Sequence, residues 1–307
     1  MTSSSNNKNH SSNDGNPSNH PLIDAIRNDD LDAANALLDQ QQCDVNEQDD
    51  DGDTPLLLCC YYAWKLPSRR YMYIRLFCKM MAVDDIDVNL CNKYGHSALM
   101  LACALGFQEC VEWLLGNSQC DVCLQEKDSL SAFHYLFHDR TDLDQQRIIL
   151  RMLMDHSQID KCAPLLTNRG YSALDYFLMN PALVSPDFGI SSCGNEILSR
   201  LLSKAECFKT SQATMALAVK YAGFDTCTRL YNASFSCDST LEDNETAAHC
   251  AAQLGSQKKL DFILQHSNME SDSKWKNRLV HNLMPSSTYA KPKKDYHSSM
   301  WIVCLNI

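Results

Sequence analysis

The chain has 307 residues, of which 45% are apolar, and its formal net charge is −11 at pH 7. This composition can supply a substantial core, and the negative charge disfavours broad binding to nucleic acids. The sequence has no charged-then-apolar leader and no apolar run near the roughly 18 residues that a membrane helix needs, so we expect a cytoplasmic or nuclear protein without membrane insertion.

The N-terminal part of the chain changes character at residue 20. Residues 1–19, MTSSSNNKNHSSNDGNPSN, are rich in serine and asparagine, which predicts a disordered head. The segment HPLIDAIRNDDLDAANALLDQQQCDVN follows and shows the apolar spacing of two short helices. Residues 1–60 contain twelve acids against Lys8 and Arg27, a net charge of −10. This acidic surface could recruit a partner, although a solubilising role is the commoner one.

A second helix pair starts at DGDTPLLLCC and contains an insertion. Its interval from Thr54 to Val88 is 34 residues, whereas the matching interval from Ser97 to Val122 in the third pair is 25. Nine extra residues therefore lie in the second pair. We place them between its two helices, around YYAWKLPSRRYMY, as an exposed loop.

The composition of this insertion suggests a partner contact. Aromatic and arginine side chains are enriched among the residues that dominate binding energy, and a passive loop would favour Gly, Ser and Asn. The alternative is that Tyr62 and Tyr73 pack between lengthened helices. The candidate contact residues are Trp64, Arg69, Arg70 and Tyr71.

Later segments repeat one pattern, in which a Ser or Thr precedes a glycine by nine residues. The pairs are Ser97 with Gly106, Thr214 with Gly223, and Thr246 with Gly255. The pattern predicts a short helix, a left-handed glycine that reverses the chain, and a second amphipathic helix. SAFHYLF and RGYSALDYF are weaker copies of the opening. Large side chains of the second helices, Trp113 and Leu114 among them, should fill the gap between units.

These features resemble the ankyrin repeat, whose motif runs D-x-x-G-x-T-P-L-H-x-A-A-x-x-G and continues with a second helix and D-V-N. The third unit, NKYGHSALMLACALGFQECVEWLLGNSQCDVC, matches best, and the first has Asp29 where the motif has glycine. The resemblance predicts an all-α ankyrin-repeat solenoid of helix-turn-helix units with protruding turns, about seven units with several degenerate, over residues 20–267. Residues 268–307, which carry KWKNR and KPKKD, should form a basic, flexible tail.

The resemblance implies a non-enzymatic protein that mediates protein–protein interactions as a scaffold or adaptor. In that family the turn tips and the first helices line a concave groove that holds the partner. We expect one or more protein partners, no nucleic acid, and a monomeric chain. An alternative is the substrate-recognition subunit of an enzyme complex such as a ubiquitin ligase, which would need a C-terminal docking box that we do not recognise. The tip candidates are Asp51, Asp53, Tyr94, His96, Lys127, Asp128 and Tyr171.

The same resemblance suggests one modification site. Units of this family are often hydroxylated at the asparagine of D-V-N when a leucine stands eight residues earlier. Leu38 and Asn46 have this spacing, whereas Met81 takes the place of the leucine before Asn89. The alternative is that Asn46 only forms hydrogen bonds within its loop.

Motifs for catalysis or metal binding are weak. Cys120 and Cys123 form a C-x-x-C without the second ligand pair of a zinc site, and His134 and His138 lack the glutamate of H-E-x-x-H. The sixteen cysteines replace alanine or valine in helical patterns and should be buried, reduced thiols. We therefore predict no enzyme, no catalytic residue, no metal and no cofactor.

Overall fold

The structure, a computed structural model, describes residues 20–137, 142–185, 189–241 and 245–267. In these ranges the chain forms seven helix pairs, with helices numbered in chain order. The first helices of the pairs are α1 (Pro21–Arg27), α3 (Pro55–Lys65), α5 (Ala98–Leu105), α7 (Ala132–Leu136), α10 (Ala173–Met179), α13 (Thr214–Tyr221) and α15 (Ala247–Gln253). The second helices are α2 (Leu31–Asp39), α4 (Arg70–Met80), α6 (Gln108–Gly116), α8 (Leu143–Asp155), α11 (Ser192–Ser203), α14 (Phe224–Asn232) and α16 (Gln257–His266).

Short elements connect the pairs. They are a 3-10 turn at Pro67–Arg69, the helices α9 (Ile159–Cys162) and α12 (Ala205–Phe208), and the antiparallel strands β1 (Val184–Ser185) and β2 (Gly189–Ile190). Several predictions concern residues that the structure does not describe. These are the head (1–19), the tail (268–307) and His138.

The helix pairs stack side by side in two layers. Each first helix contacts the first helix of the next pair, and α2, α4, α6, α8 and α11 contact one another in the same order. Arg229 of α14 continues the second layer by donating to Asn195 and Ser199 of α11. One continuous apolar core runs between the layers. A single pair could not bury enough apolar surface to fold alone, so the stacking holds the array together. The predicted all-α solenoid is confirmed.

Local signals in the sequence explain where most first helices begin and end. The side chains of Thr54, Ser97, Ser172 and Thr246 each accept a hydrogen bond from a backbone N–H three residues later. After the helix, Gly106 (φ 71°) and Gly255 (φ 64°) adopt the predicted left-handed conformation, whose steric cost only glycine avoids. Gly223, for which we predicted the same conformation, differs. It lies directly before α14 in an extended conformation, and its φ is −74°.

The second helices bury one face, but not every large side chain that we expected. Leu114 of α6 is fully buried, as predicted, between α4 and α8. Its neighbour Trp113 is 46% exposed and does not fill the gap between units. One residue along a helix is a rotation of about 100°, so adjacent positions face different surroundings. The prediction for Trp113 was therefore wrong.

The insertion in the second unit lengthens the helices instead of forming an exposed loop. Helices α3 and α4 have 11 residues each, against 8 in α5 and 9 in α6, and only a 3-10 turn separates them. Tyr73 is fully buried, and the ring of Tyr62 stacks on it at 5.7 Å between centroids. The alternative in which these tyrosines pack the lengthened helices is the one that the structure adopts.

The lengthened helices also stabilise the first unit. Asp29, which replaces the expected glycine, has a φ of 59° and therefore a strained left-handed backbone. Its carboxylate accepts a hydrogen bond from the Tyr73 hydroxyl at 2.6 Å and pairs with Arg69 Nη1 at 2.6 Å. These two contacts hold the aspartate in the turn between α1 and α2.

None of the helices in the described ranges combines the length and the apolar character needed to cross a membrane.

Candidate functional site

The turns that precede the first helices form a row of fingers along one side of the array. Backbone hydrogen bonds link four consecutive fingers, those of the second to the fifth units. The N–H of Lys93 donates to Asp51 O at 2.8 Å, that of Lys127 to Tyr94 O at 3.3 Å, and that of Asn168 to Asp128 O at 3.0 Å. Because each tip is tied to its neighbour, the row is a pre-formed surface rather than a set of independent loops.

Two glycines allow the fingers to approach so closely. Gly52 and Gly95 have positive φ values of 75° and 90°. A Cβ added at Gly52 would lie 3.0 Å from the nitrogen of Lys93, and one at Gly95 would lie 2.9 Å from the Cα of Glu126. The first is a tight contact and the second is a clash, both with backbone, so a larger residue at either position would have to displace the neighbouring finger.

The tips present an aromatic side chain among charged groups. Tyr94 is half-buried, and the ammonium groups of Lys93 and Lys127 lie 5.1 Å and 5.8 Å from its ring centroid. Lys93 also pairs with Asp51, whereas Lys127 and Asp128 are exposed. A cation over a tyrosine face is held in place by the ring quadrupole. The surface therefore combines one anchored aromatic group with charges of both signs.

A line of aromatic rings leads from this tip to the first helices. Tyr94 contacts His96 at 5.9 Å between centroids, and His96 meets Tyr135 of α7 edge-on at 5.8 Å. In the next unit, Tyr176 of α10 is half-buried and meets His134 edge-on at 5.4 Å. Tyr135 and Tyr176 both stand four residues after the serine that opens their unit. This shared position could have revealed them from the sequence.

Two of the predicted tip residues are buried and serve the fold. Asp53 is 2% exposed and accepts a hydrogen bond from the Asn92 side chain at 2.9 Å. His96 is 3% exposed. Burial raises the pKa of Asp53 and lowers that of His96, since both changes favour the uncharged form. We therefore assign them to the interior of the fingers rather than to a partner contact. Tyr171, at the same position of the fifth unit, is half-buried.

The candidates in the insertion differ in accessibility. Tyr71 is 74% exposed, and Arg70 is exposed with its guanidinium 5.5 Å from the Phe107 ring centroid. Trp64 is half-buried against the core, and Arg69 forms an ion pair with Asp29. Tyr71 and Arg70 are therefore the most accessible of the four candidates. A partner contact at Trp64 and Arg69 stays a prediction.

The D-V-N asparagines connect successive loops on another edge of the array. Asn46 Nδ2 donates to Asp85 O at 2.7 Å, and its Oδ1 accepts from the N–H of Asp87 at 2.8 Å. Asn89 repeats this pattern one unit later with Gln119 and Asp121. The structural role that we considered as the alternative is therefore present. Hydroxylation of Asn46 stays a prediction.

His134 has a structural role. Its Nδ1 accepts from the N–H of Ser131 at 3.0 Å, and its Nε2 lies 3.2 Å from Tyr171 O. Burial is the main cause that lowers the pKa of His134 to about 4, so the ring is neutral at pH 7. Within the described ranges, no three His, Cys, Asp or Glu side chains are grouped so that they could hold a metal, and no disulfide joins the cysteines.

A polar cleft of about 530 Å³ opens elsewhere, beside the start of α13. Its lining consists mainly of hydroxyl and amide side chains, with Lys209 and Asp238 as the charged members. None of the partner-contact or modification residues predicted from the sequence lines it.

Comparisons with known proteins agree with this architecture. A family model described as ankyrin repeats (3 copies) matches residues 22–126. The crystal structure of the ankyrin repeat domain of Bcl-3, which is described as a unique member of the IkappaB protein family, is similar to this chain. Its TM-score is 0.52 and its sequence identity is 18%, over 82% of this chain and 99% of that one. An ankyrin repeat domain from Acinetobacter baumannii AYE has a TM-score of 0.46 and 15% identity, over 80% and 97%. No curated protein matches the sequence.

Proposed function

We propose that this chain works as a scaffold or adaptor that binds another protein along its row of fingers, because residues 22–126 match the family model for ankyrin repeats and the chain shares the fold of a solved ankyrin repeat domain. The observation that carries the proposal is the pre-formed tip around Tyr94, where Lys93 and Lys127 flank one aromatic ring. Rigid surfaces bind with a smaller loss of conformational entropy than flexible loops. Aromatic side chains are also enriched among the residues that dominate binding energy.

The groove would extend from the tips to the first helices. Tyr94, Tyr171 and Tyr176 are half-buried, so each leaves part of its ring for a partner while the rest is fixed by neighbours. Lys127 and Asp128 would select the partner by charge, because exposed charges affect recognition and association rate more than affinity. The alternative role, recognition within a ubiquitin ligase, depends on a docking element in residues 268–307, outside the described residues.

The test is a comparison of partners captured by two forms of the full chain. The variant Tyr94→Ala, Lys127→Ala, Tyr171→Ala removes two rings and one charge at the tips. A control, Trp113→Ala, Lys161→Ala, Tyr231→Ala, removes two rings and one charge outside the finger row and the first helices. We expect affinity purification with mass spectrometry to find proteins that bind the wild type and the control at least tenfold better than the tip variant. A set of partners equally retained by the tip variant would refute the proposed groove.

Hydroxylation of Asn46 is proposed as a modification, and the chain supplies its own control. Asn46 and Asn89 make the same two bonds, so local opening should expose them similarly. They differ in the residue eight positions earlier, Leu38 or Met81. With an active asparaginyl hydroxylase, peptide mass spectrometry should show the mass gain of one oxygen at Asn46 and a smaller yield at Asn89. No gain at Asn46 would eliminate the proposal.

A further inference from the structure

The lengthened second unit carries an unusual excess of positive charge. From Thr54 to Val83 the sequence contains five basic residues and no acid, in a chain whose net charge is −11. Acids flank this segment on both sides, with eleven between Asp24 and Asp53 and three more at Asp84, Asp85 and Asp87. The segment is therefore a basic stretch of the sequence between two acidic stretches.

The structure separates the basic residues that are paired from those that are not. Arg69 pairs with Asp29 and Lys79 pairs with Asp39. The other three make no ion pair within the described parts of the chain. They are exposed, and they lie at the end of α3 and along the first turns of α4. They are Lys65, Arg70 and Arg75.

Neighbouring rings hold two of these cations in place. Lys65 Nζ lies 5.2 Å and 5.4 Å from the ring centroids of Tyr61 and Tyr62, and Arg70 lies over Phe107. A cation that already rests on an aromatic ring has restricted side-chain motion. It therefore loses less conformational entropy on binding a carboxylate than a cation whose side chain moves freely. The charges are therefore partly pre-organised.

Exposed apolar side chains lie beside the charges. Tyr71 is 74% exposed and Met72 is 41% exposed, and both precede Arg75 on the same side of α4. We call the set Lys65, Arg70, Tyr71, Met72 and Arg75 the basic lip. It combines three unpaired cations with an aromatic and a flexible apolar contact, which are residue types favoured at binding surfaces.

We propose that the basic lip binds an acidic segment of a partner protein, whose carboxylates face Lys65, Arg70 and Arg75 and whose apolar side chain packs on Tyr71 and Met72. The inference rests on the proposed function, that the chain binds proteins, and it adds a second contact surface with a stated partner chemistry. Charge complementarity selects the occupant. The chain's own residues 269–307 carry +3, and the lip would repel them.

The distribution of charge around the basic lip favours an acidic peptide segment, rather than a membrane, as its binding partner. A flat anionic bilayer covers a broad area of protein surface, and it would be repelled by acids elsewhere on a chain whose net charge is −11. A narrow acidic segment can contact the cations and avoid these acids. Binding to anionic vesicles is therefore an outcome that would contradict the proposal.

The probe for the test is a short fluorescein-labelled peptide of repeating Glu-Glu-Leu, with Gln-Gln-Leu as its uncharged control. We expect fluorescence anisotropy to show saturable binding of the acidic probe to the full chain. The triple change Lys65→Glu, Arg70→Glu, Arg75→Glu should weaken it at least tenfold, which is about 1.4 kcal/mol. Raising the salt from about 50 mM to about 300 mM should also weaken binding, because exposed charges are screened.

Control variants separate the lip from effects of total charge and of folding. Arg151→Glu, Lys161→Glu, Arg200→Glu makes the same change in net charge on the fourth and fifth units and should leave binding unchanged. Circular dichroism melts must show that both triple variants fold. If the lip variant unfolds, Lys65→Gln, Arg70→Gln, Arg75→Gln is measured in its place. This variant should also bind the acidic probe more weakly than the wild type does.

The outcomes distinguish the lip from the finger row. Equal binding of the acidic probe by the wild type and the lip variant overturns the basic lip, whatever partners the fingers capture. Tight, lip-dependent binding to phosphatidylserine vesicles with no binding of the peptide overturns it in favour of a membrane. Lip-dependent binding of the probe, together with partners that the tip variant retains as well as the wild type does, supports the lip and refutes the groove.

Discussion

Replacement of Leu114 by aspartate is expected to lower the free energy of unfolding by at least several kcal/mol. The side chain is fully buried between α4 and α8, in the middle of the array. Removing a buried leucine costs about 2–5 kcal/mol, and placing an unpaired carboxylate in the same space adds a further penalty. Since whole domains are stable by about 5–15 kcal/mol, this change should unfold the third unit and its neighbours.

The neighbouring residue provides a matched control. Trp113→Asp introduces the same charge one position earlier, at a side chain that is 46% exposed, and should cost about 1 kcal/mol or less. Urea denaturation of the two variants, with Leu114→Ala as an intermediate case, measures the difference. Equal midpoints for Leu114→Asp and Trp113→Asp would show that α6 is rotated from the position described above.

The stability of the array should decrease as the pH falls from 6.5 towards 4, and His134 should account for part of this loss. Burial lowers its pKa from 6.5 to about 4, so in this window the unfolded chain binds a proton that the folded chain does not. Protonation therefore favours unfolding. This difference in pKa corresponds to a loss of about 3 kcal/mol in the free energy of unfolding at the acid end of the window.

A variant without the titrating group isolates this contribution. His134→Gln keeps an acceptor for the N–H of Ser131, because glutamine serves in the same position of capping boxes. It loses the contact with Tyr171 O, which lowers stability at every pH without changing its dependence on pH. Urea unfolding at several pH values should give a shallower slope for the variant. Parallel curves would show that the pKa of His134 is the same in the folded and the unfolded chain, which would contradict the prediction.

The order of helices was predictable because the chain marks their ends. Capping residues such as Ser97 and a left-handed glycine such as Gly106 are local signals, and the nine-residue interval between them recurs. Buried positions in the second helices were less certain. Leu114 and Trp113 are both large and apolar, and the sequence does not state the rotation of the helix finely enough to separate adjacent residues.

The insertion was harder to interpret because its structure depends on distant contacts. Nine extra residues with one proline fit a loop as well as two longer helices. The contacts that decide the matter join Tyr73 and Arg69 to Asp29, more than forty residues away for the tyrosine. The burial of Asp53 and His96 also depends on distant contacts. The sequence has no local signal for this burial or for the hydrogen bond from Asn92 to Asp53.

The basic lip was only partly visible in the sequence. Arg70 and Tyr71 were among the predicted contacts, but Lys65, Met72 and Arg75 were not selected. The signal that could have found them is the absence of acids between Thr54 and Val83. What the sequence could not supply is the pairing of Arg69 and Lys79 with carboxylates of the first unit, which leaves the other three cations available.

A partner protein bound along the finger row should be detectable by hydrogen–deuterium exchange measured with and without that purified partner. We expect slower exchange on binding at the tips, residues 49–53, 92–96, 126–130 and 167–171, because a bound partner covers them and suppresses local opening. Residues 65–75 should join this set if the same partner also uses the basic lip. Protection confined to the exposed face of α6, α8 and α11, with no change at the four tips, would contradict binding along the finger row.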